Sequence, residues 1–232
     1  MLMGGPARRG PVFGSDMGIF GHRIEGAADW WDPTGAGLCI WAAYQPKGAA
    51  SLVASYIDLS GNGNNAGVGV APTWDAVNGW KFNGSTQYLT TGFVPSSDTT
   101  QSMIVQYTTR TSAAYRAIAG ISDSSSQRLA LSGQWTAGVA YMNGGGLDIA
   151  PLLNAGNLCI AGVQGYRNGV ADGAAFAPAW GGIPTSSVYI GCWNASGVAA
   201  LFCALYIQAF ALYDCTLTAP QVLAVANAMV AL

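Results

Sequence analysis

The C-terminal segment, residues 206–232, constrains the fold more than any other part of the chain. Residues 206–213 are apolar on both faces, which is typical of a strand buried in a sheet. Thr218 and Gln221 then have the spacing of a helix capping box, and Pro220 suits the first helical turn. The apolar residues that follow recur at helical spacing and fall on one face: Val222, Val225, Ala226 and Met229. The segment predicts a strand that leads directly into a short C-terminal helix.

The chain between residue 38 and this segment consists of short apolar runs separated by clusters of turn residues. Many of these runs are rich in β-branched and aromatic residues, as strands prefer. They predict strands at residues 38–44, 103–109, 116–121, 128–131, 139–142, 158–165 and 187–192. Two Asn-Gly pairs, at residues 83–84 and 168–169, predict hairpin turns. No internal repeat or second domain boundary appears, so the pattern favours a single antiparallel β-sandwich over residues 38–232.

The low charge of the chain limits the partners it can have. Hydrophobic residues make up 51% of the sequence and charged residues 9%, yet the apolar runs are too short for a membrane span. The formal net charge is -2, and Lys47 and Lys81 are the only lysines, which argues against nucleic-acid binding. A weakly charged surface also lacks the charge repulsion that keeps protein molecules from associating with one another. We expect partner subunits to cover much of it, with a Ser/Thr/Asn-coated monomer as the alternative.

The cysteines and the start of the chain suggest an intracellular site of synthesis. The chain has five cysteines, an odd number without a CxxC pair, and His22 is the only histidine, so a zinc site is not expected. Several of the cysteines lie in apolar runs, where buried reduced thiols are expected. Residues 1–6 lack the apolar region of a signal peptide. Both observations predict assembly in a reducing cytoplasm.

Residues 1–37 differ from the rest because glycine and proline interrupt every possible helix or strand. They predict an irregular N-terminal arm that precedes the domain. A disordered tail is one interpretation of this composition. The other is an arm anchored on this subunit or on a neighbour, because the segment is too apolar for a typical disordered tail. Four of its residues are the candidates for partner contacts: Arg8, Arg9, Phe13 and Phe20.

Five short motifs occur along residues 38–232 in a fixed order. They are a D-x-S-G-N-G-N-x-G turn at 58–67 with Ala66 interposed, F-N-G-x-x-x-Y-L at 82–89, Y-x-N-G-x-x-x-G at 166–173, Y-I-G at 189–191 and Y-D-x-x-L-T at 213–218. In this order they resemble the LamG-like family of concanavalin A-like jelly rolls. The resemblance implies an all-β fold of two packed antiparallel sheets, with the irregular N-terminal arm outside it and a short C-terminal helix.

Neither a metal ion nor catalysis is expected. Asp58 with Asn62 and Asn64 is the best candidate for a calcium-like site, but the other Asp residues are scattered and calcium prefers clustered carboxylates. We therefore expect an Asx-rich turn there, and no metal or other cofactor. The superfamily that the chain resembles also contains glycoside hydrolases, and these carry a Glu-x-Asp-x-x-Glu strand. This chain has a single glutamate, Glu25, and it lies in the arm.

Two non-enzymatic functions remain. LamG-like domains with lead-in arms occur in bacteriophage particles, so the resemblance implies a virion structural protein: a decoration, fibre or adhesin component on the virion surface. It would assemble in the host cytoplasm through its arm, with other virion subunits or as a homo-oligomer. The alternative is a lectin-like module that binds surface glycans in adhesion. Its candidate ligand-binding residues lie in loop-like contexts: Trp135, Trp180, Trp193 and Asn194.

Overall fold

The computed structural model describes residues 29–232, apart from residues 97–98, 112–114, 137, 150, 152 and 183. The arm residues predicted to contact a partner lie outside this part of the chain, and their role stays a prediction: Arg8, Arg9, Phe13 and Phe20. Within the described residues, the structure has no helix long and apolar enough to cross a membrane.

Strands follow one another along almost the whole described chain. They are β1 (Ile40–Tyr44), β2 (Gly67–Val70), β3 (Thr73–Asp75), β4 (Gly79–Asn83), β5 (Tyr88–Thr90), β6 (Ser102–Thr108), β7 (Arg116–Ser124), β8 (Gln127–Gln134), β9 (Val139–Asn143), β10 (Gly146–Ile149), β11 (Gly156–Ala161), β12 (Gln164–Arg167), β13 (Val170–Ala171), β14 (Tyr189–Ile190), β15 (Trp193–Ala195), β16 (Val198–Ala200) and β17 (Ala204–Tyr213). A short 3-10 helix spans Ala54–Tyr56, and the α-helix α1 spans Ala219–Val230.

The strands form two sheets. Sheet A has the order β13-β12-β11-β6-β17-β4-β3, and β1 also pairs with β17. Strand β17 is central because β6 pairs along most of one side, while β4 and then β1 pair with successive parts of the other. Sheet B has the order β10-β9-β8-β7-β14-β5-β2, and β15 adds a short parallel pairing with β7. The other pairings are antiparallel, as the sequence predicts.

The main core lies between the sheets and is rich in aromatic residues. Its largest fully buried side chains include Trp80, Tyr44, Tyr107, Tyr141, Phe82 and Phe210. The polar atoms of the tyrosines and of Trp80 have hydrogen-bond partners, as most buried polar groups do. The Tyr44 hydroxyl donates to the Asn64 carbonyl at 2.6 Å, and Trp80 Nε1 donates to the Ser55 hydroxyl at 2.7 Å.

A second apolar layer covers the outer face of sheet A. Helix α1 buries the predicted face there: Val222, Val225, Ala226 and Met229. The predicted capping box is present, and the Thr218 backbone N–H donates to Gln221 Oε1 at 2.8 Å. Trp30 and Trp31 are buried in the same layer, and the Tyr213 hydroxyl donates to the Trp31 carbonyl at 2.9 Å. The end of the predicted arm is therefore packed on this same chain.

Cys39 and Cys215 form a disulfide, which corrects the expectation of reduced thiols for these two residues. Their Cα atoms are 5.9 Å apart, a normal distance for a disulfide. The pairing of β1 with the end of β17 brings them together, because Cys39 directly precedes β1 and Cys215 closely follows β17. The remaining cysteines are buried and outside any disulfide: Cys159, Cys192 and Cys203.

The two Asn-Gly pairs have different outcomes. Asn168 and Gly169 both have positive φ values, of 51° and 78°, and join β12 to β13 in the predicted hairpin. The prediction is wrong for Asn83-Gly84, because β4 belongs to sheet A and β5 to sheet B. Here Asn83 Oδ1 accepts the backbone N–H groups of Ser85 and Thr86, at 2.9 and 3.0 Å. These hydrogen bonds stabilise a turn that crosses from one sheet to the other.

Candidate functional site

The outer face of sheet B has a floor of small residues. Leu129 and Tyr141 point into the core, and their neighbours Ala130 and Ala140 face outward, since side chains alternate along a strand. Gly120 lies beside Ala130 on the adjacent strand, and a Cβ at Gly120 would stand 2.4 Å from the Ala130 Cβ. The small side chains leave room for aromatic rings to lie against the sheet.

Three aromatic rings occupy this face, and we call them the aromatic row: Tyr115, Trp135 and Trp193. The Trp193 ring packs against the small residues and is only 4% exposed. The Trp135 ring lies beside it, with 5.3 Å between the ring centroids and 40° between the ring planes. Tyr115, 48% exposed, makes an edge contact with Trp135, with 5.3 Å between the ring centroids. The row thus passes from a buried ring to an exposed one, with the partly exposed Trp135 in the middle.

A groove of about 140 Å³, which we call the Trp135 groove, opens beside the central ring. Its lining combines one aromatic ring with apolar side chains and two charged ones: Trp135, Ala140, Met142, Gly146, Leu147, Arg128 and Asp148. A mainly apolar lining with a few polar groups is typical of ligand sites.

Asp148 holds the turn that carries Trp135. The backbone N–H of Thr136 donates to Asp148 Oδ2 at 3.0 Å, and the Thr136 hydroxyl donates to the same oxygen. The backbone N–H of Gly138 donates to Oδ1 at 3.0 Å. The Trp135 N–H donates to the Gly138 carbonyl at 2.8 Å, which closes the turn. The carboxylate of Asp148 therefore fixes the backbone on the C-terminal side of the Trp135 ring.

Arg128 brings a positive charge to the same groove. Its Nε is buried and has no hydrogen-bond partner among the described residues. Burial lowers the pKa of the guanidinium, because desolvation disfavours the charged form. Gly146 lies next to the guanidinium, since a Cβ built there would be in ordinary van der Waals contact with Arg128 Nη2, at 3.7 Å. The groove therefore combines an aromatic face with an unpaired cation.

The structure brings together two of the four predicted glycan-binding residues, Trp135 and Trp193. Trp180 packs on Gly144, in the same hairpin as the groove residue Gly146. Asn194 is 1% exposed; its amide donates to the Ser187 carbonyl at 2.7 Å and accepts the Gly197 N–H at 2.7 Å. These bonds hold the turn between β15 and β16. Glycan contact by the four residues stays a prediction.

Sequence reasoning did not select Tyr115, Arg128 or Asp148. Arg128 stands at the start of a predicted strand, two residues before the outward-facing Ala130, and that spacing is the signal that could have placed it on this face. The role of Asp148 has no local signal, because it depends on the register between β9 and β10, where Asp148 lies opposite Ala140.

A larger cleft, of about 360 Å³, lies on sheet A between Lys81, Asn83 and Tyr206. The Lys81 ammonium stands 5.5 Å from the centre of the Tyr206 ring, so it occupies the aromatic face that a ligand would need. The oxygen of Asn83 is engaged by the backbone of the turn that follows it. The smaller Trp135 groove is therefore the better candidate.

The Asp58 turn is held by its own hydrogen bonds. The Asp58 carboxylate accepts the backbone N–H groups of Ala43, Ser60 and Asn64 at 2.9, 2.9 and 3.1 Å, and the Ser60 hydroxyl at 2.8 Å. The Asn62 amide donates to the Ile40 carbonyl at 2.7 Å. In the part of the chain that the structure describes, no three His, Cys, Asp or Glu residues form a metal-binding group.

No protein-family model matches the chain, and no curated protein matches its sequence. Solved structures do match. Domain 4 of AbnA, a GH43 extracellular arabinanase from Geobacillus stearothermophilus, is 18% identical with a TM-score of 0.55, over 82% of this chain and 98% of that one. A mutant Trypanosoma rangeli sialidase displaying trans-sialidase activity is 16% identical with a TM-score of 0.53, over 83% of this chain. The botulinum neurotoxin serotype G binding domain is 13% identical with a TM-score of 0.52, over 81% of this chain.

This chain spans 33% of the sialidase and 50% of the neurotoxin binding domain. At these sequence identities the likeness concerns the fold. Together with the two sheets and the C-terminal helix, it confirms the predicted all-β jelly-roll sandwich fold.

Proposed function

We propose that this chain is a non-enzymatic carbohydrate-binding sandwich domain that holds a glycan in the Trp135 groove. The observation that carries the proposal is the partly exposed Trp135 ring, backed by Trp193 and held beside the groove by Asp148. The C–H face of a sugar ring packs on an aromatic face, while polar groups at the rim bind its hydroxyls. The groove is smaller than the roughly 300 Å³ of an ordinary small-molecule pocket, so it suits one sugar unit of a longer glycan.

The structural likeness supports this proposal. Domain 4 of AbnA was solved in complex with arabinotriose, and this chain is similar to nearly the whole of that domain. The likeness therefore covers a sandwich that is known with a bound oligosaccharide.

The groove chemistry supports binding without hydrolysis. Glycoside hydrolysis generally requires two carboxyl groups on either side of the scissile bond. Among the described residues that line the groove, Asp148 is the only carboxylate, and both its oxygens accept hydrogen bonds from the Trp135 turn. It therefore acts as a positioning residue for Trp135.

A glycan array followed by titration calorimetry tests the proposal. Trp135→Ala should reduce the affinity for any glycan that the array identifies by at least about tenfold, as loss of a central aromatic contact does. Trp74→Ala is the matched control, because Trp74 is a partly buried tryptophan on β3 of sheet A. Thermal unfolding should show that both variants are folded. The proposal fails if the array identifies no ligand, or if Trp135→Ala binds as the unmodified protein does.

The resemblance also predicts a virion structural protein that assembles through its N-terminal arm, and this role is compatible with glycan binding. Its support is the Gly/Pro-rich but partly apolar composition of residues 1–28, whereas Trp30 and Trp31 at the end of the predicted arm pack on this same chain. The Cys39–Cys215 disulfide removes one argument for assembly in a reducing host cytoplasm, since disulfides are rare there. Deletion of residues 1–28 should leave the sandwich folded and prevent incorporation into a particle or homo-oligomer. Native mass measurement of both forms tests this, and an unchanged oligomeric mass contradicts it.

A further inference from the structure

Arg128 differs from the other arginines of the described chain whose contacts are resolved. The Arg167 guanidinium forms an ion pair of 2.8 Å with Asp172 and donates to the Pro151 carbonyl at 2.7 Å. Arg116 Nη1 donates to the Tyr115 carbonyl at 3.1 Å. No described residue accepts a hydrogen bond from the Arg128 side chain or forms an ion pair with it, and its Nε is removed from solvent.

An unpaired, half-buried guanidinium is costly. Removing a charge from water is unfavourable unless hydrogen bonds or an opposite charge replace the lost hydration. Asp148 lines the same groove and offsets part of this cost, but no hydrogen bond or ion pair joins it to Arg128, and burial lowers the pKa of the guanidinium. A simple structural role would be served as well by an apolar side chain of the same length. The charge is therefore better explained by a ligand that pairs with it.

The surroundings of Arg128 fit an anion. The backbone of Gly146 lies next to Nη2, because a Cβ built on Gly146 would be 3.7 Å from that atom. Asp148 lines the same groove and accepts hydrogen bonds from Thr136 and Gly138, but it forms neither a hydrogen bond nor an ion pair with Arg128. The N–H donors of Arg128 are therefore available, and a guanidinium fork matches a planar carboxylate in two parallel hydrogen bonds.

We propose that the Trp135 groove selects acidic glycans, in which a sugar carboxylate pairs with Arg128 while the sugar ring packs on Trp135. This inference rests on the proposed function, and it adds the substrate class: glycans that contain uronic acids or other carboxylated sugars. The pairing replaces the hydration that Arg128 has lost, so the carboxylate provides both affinity and specificity.

Matched ligand pairs test the inference on the full chain. Oligogalacturonate and its methyl ester share one backbone but differ in charge, and sialyllactose and lactose differ by one carboxylated sugar. A sulfated oligosaccharide without carboxylates forms a third arm. We expect the acidic member of at least one pair to bind about tenfold to a hundredfold more tightly, as charge-assisted hydrogen bonds provide. Arg128→Gln should remove this preference, whereas Lys81→Gln, which removes the same charge on sheet A, should retain it.

The outcomes separate the two proposals. Equal or tighter binding of both neutral members, or exclusive binding of the sulfated sugar, overturns the acidic class and leaves glycan binding intact. Retention of the preference in Arg128→Gln overturns the role of Arg128. A chain that binds no glycan at all overturns the proposed function as well. A melting temperature for Arg128→Gln at or above that of the unmodified protein shows that lost binding is not lost folding.

Discussion

The carboxylate of Asp148 accepts the backbone N–H of Gly138 at 3.0 Å and so holds the turn that begins at Trp135. Asp148 lies on β10 and Gly138 directly precedes β9, and the pairing of these two strands brings the residues together. This relationship makes the position of the Trp135 ring depend on a side chain on the edge strand of sheet B.

Asp148→Asn should loosen the Trp135 turn. The amide keeps the size of the side chain, but it loses the charge and replaces one acceptor by a donor that faces backbone N–H groups. We expect a loss of about 1 kcal/mol in glycan binding, the usual size of one net hydrogen bond. Calorimetry measures the affinity, and the difference in tryptophan fluorescence anisotropy with and without an added Trp135→Phe substitution measures the freedom of the Trp135 ring apart from the other tryptophans. Asp75→Asn, in an exposed turn of sheet A with similar hydrogen bonds, should change neither.

Arg128→Met should stabilise the protein in the absence of a ligand. Methionine keeps much of the length of the side chain and removes the desolvated charge. Because Arg128 is only half-buried, we expect a gain of up to about 1 kcal/mol in the free energy of unfolding. Urea titration measures it, with Arg167→Met as the control. That control should be destabilising because it leaves Asp172 without its ion pair. A clear loss of stability in Arg128→Met would indicate a structural arginine.

Cys39→Ser should destabilise the fold by roughly 2–5 kcal/mol, the usual effect of losing a native disulfide. The disulfide joins residues separated by 176 positions, so its loss frees a long loop in the unfolded chain. In urea unfolding, a reductant should lower the stability of the unmodified protein by the same amount. It should not change the stability of the variant. Peptide mapping without reduction should recover the two cysteines in one linked pair, and their recovery as separate thiols would contradict the structure.

The buried thiols of Cys159 and Cys192 should not react in the native protein. Burial raises the pKa of both, that of Cys192 to about 12, so at pH ~8 nearly all of each group is the unreactive thiol. A colorimetric thiol reagent should therefore label them only after denaturation. Rapid labelling of either residue in the folded protein, located by mass spectrometry, would show that this part of the structure opens.

The two Asn-Gly pairs show how far local signals reach. At Asn168-Gly169 the neighbouring strands pair with each other, so the tight turn that these residues favour is sufficient. At Asn83-Gly84 the flanking residues Phe82 and Leu89 are both buried in the main core from opposite sheets. Burial of these side chains outweighs the hairpin preference of the turn, and no residue near the turn reveals it.

The whole chain shows the same division between features set by local sequence and features set by packing between distant segments. The sequence by itself determined the strand-rich character, the capped C-terminal helix and its buried face, because these depend on spacings within a few residues. Only the tertiary structure decided which sheet each strand joins, that Cys39 meets Cys215, and that Trp135, Arg128 and Asp148 share one groove. Those outcomes depend on strand register and packing between distant segments. The Trp135 groove is therefore visible only once β7 to β10 lie side by side.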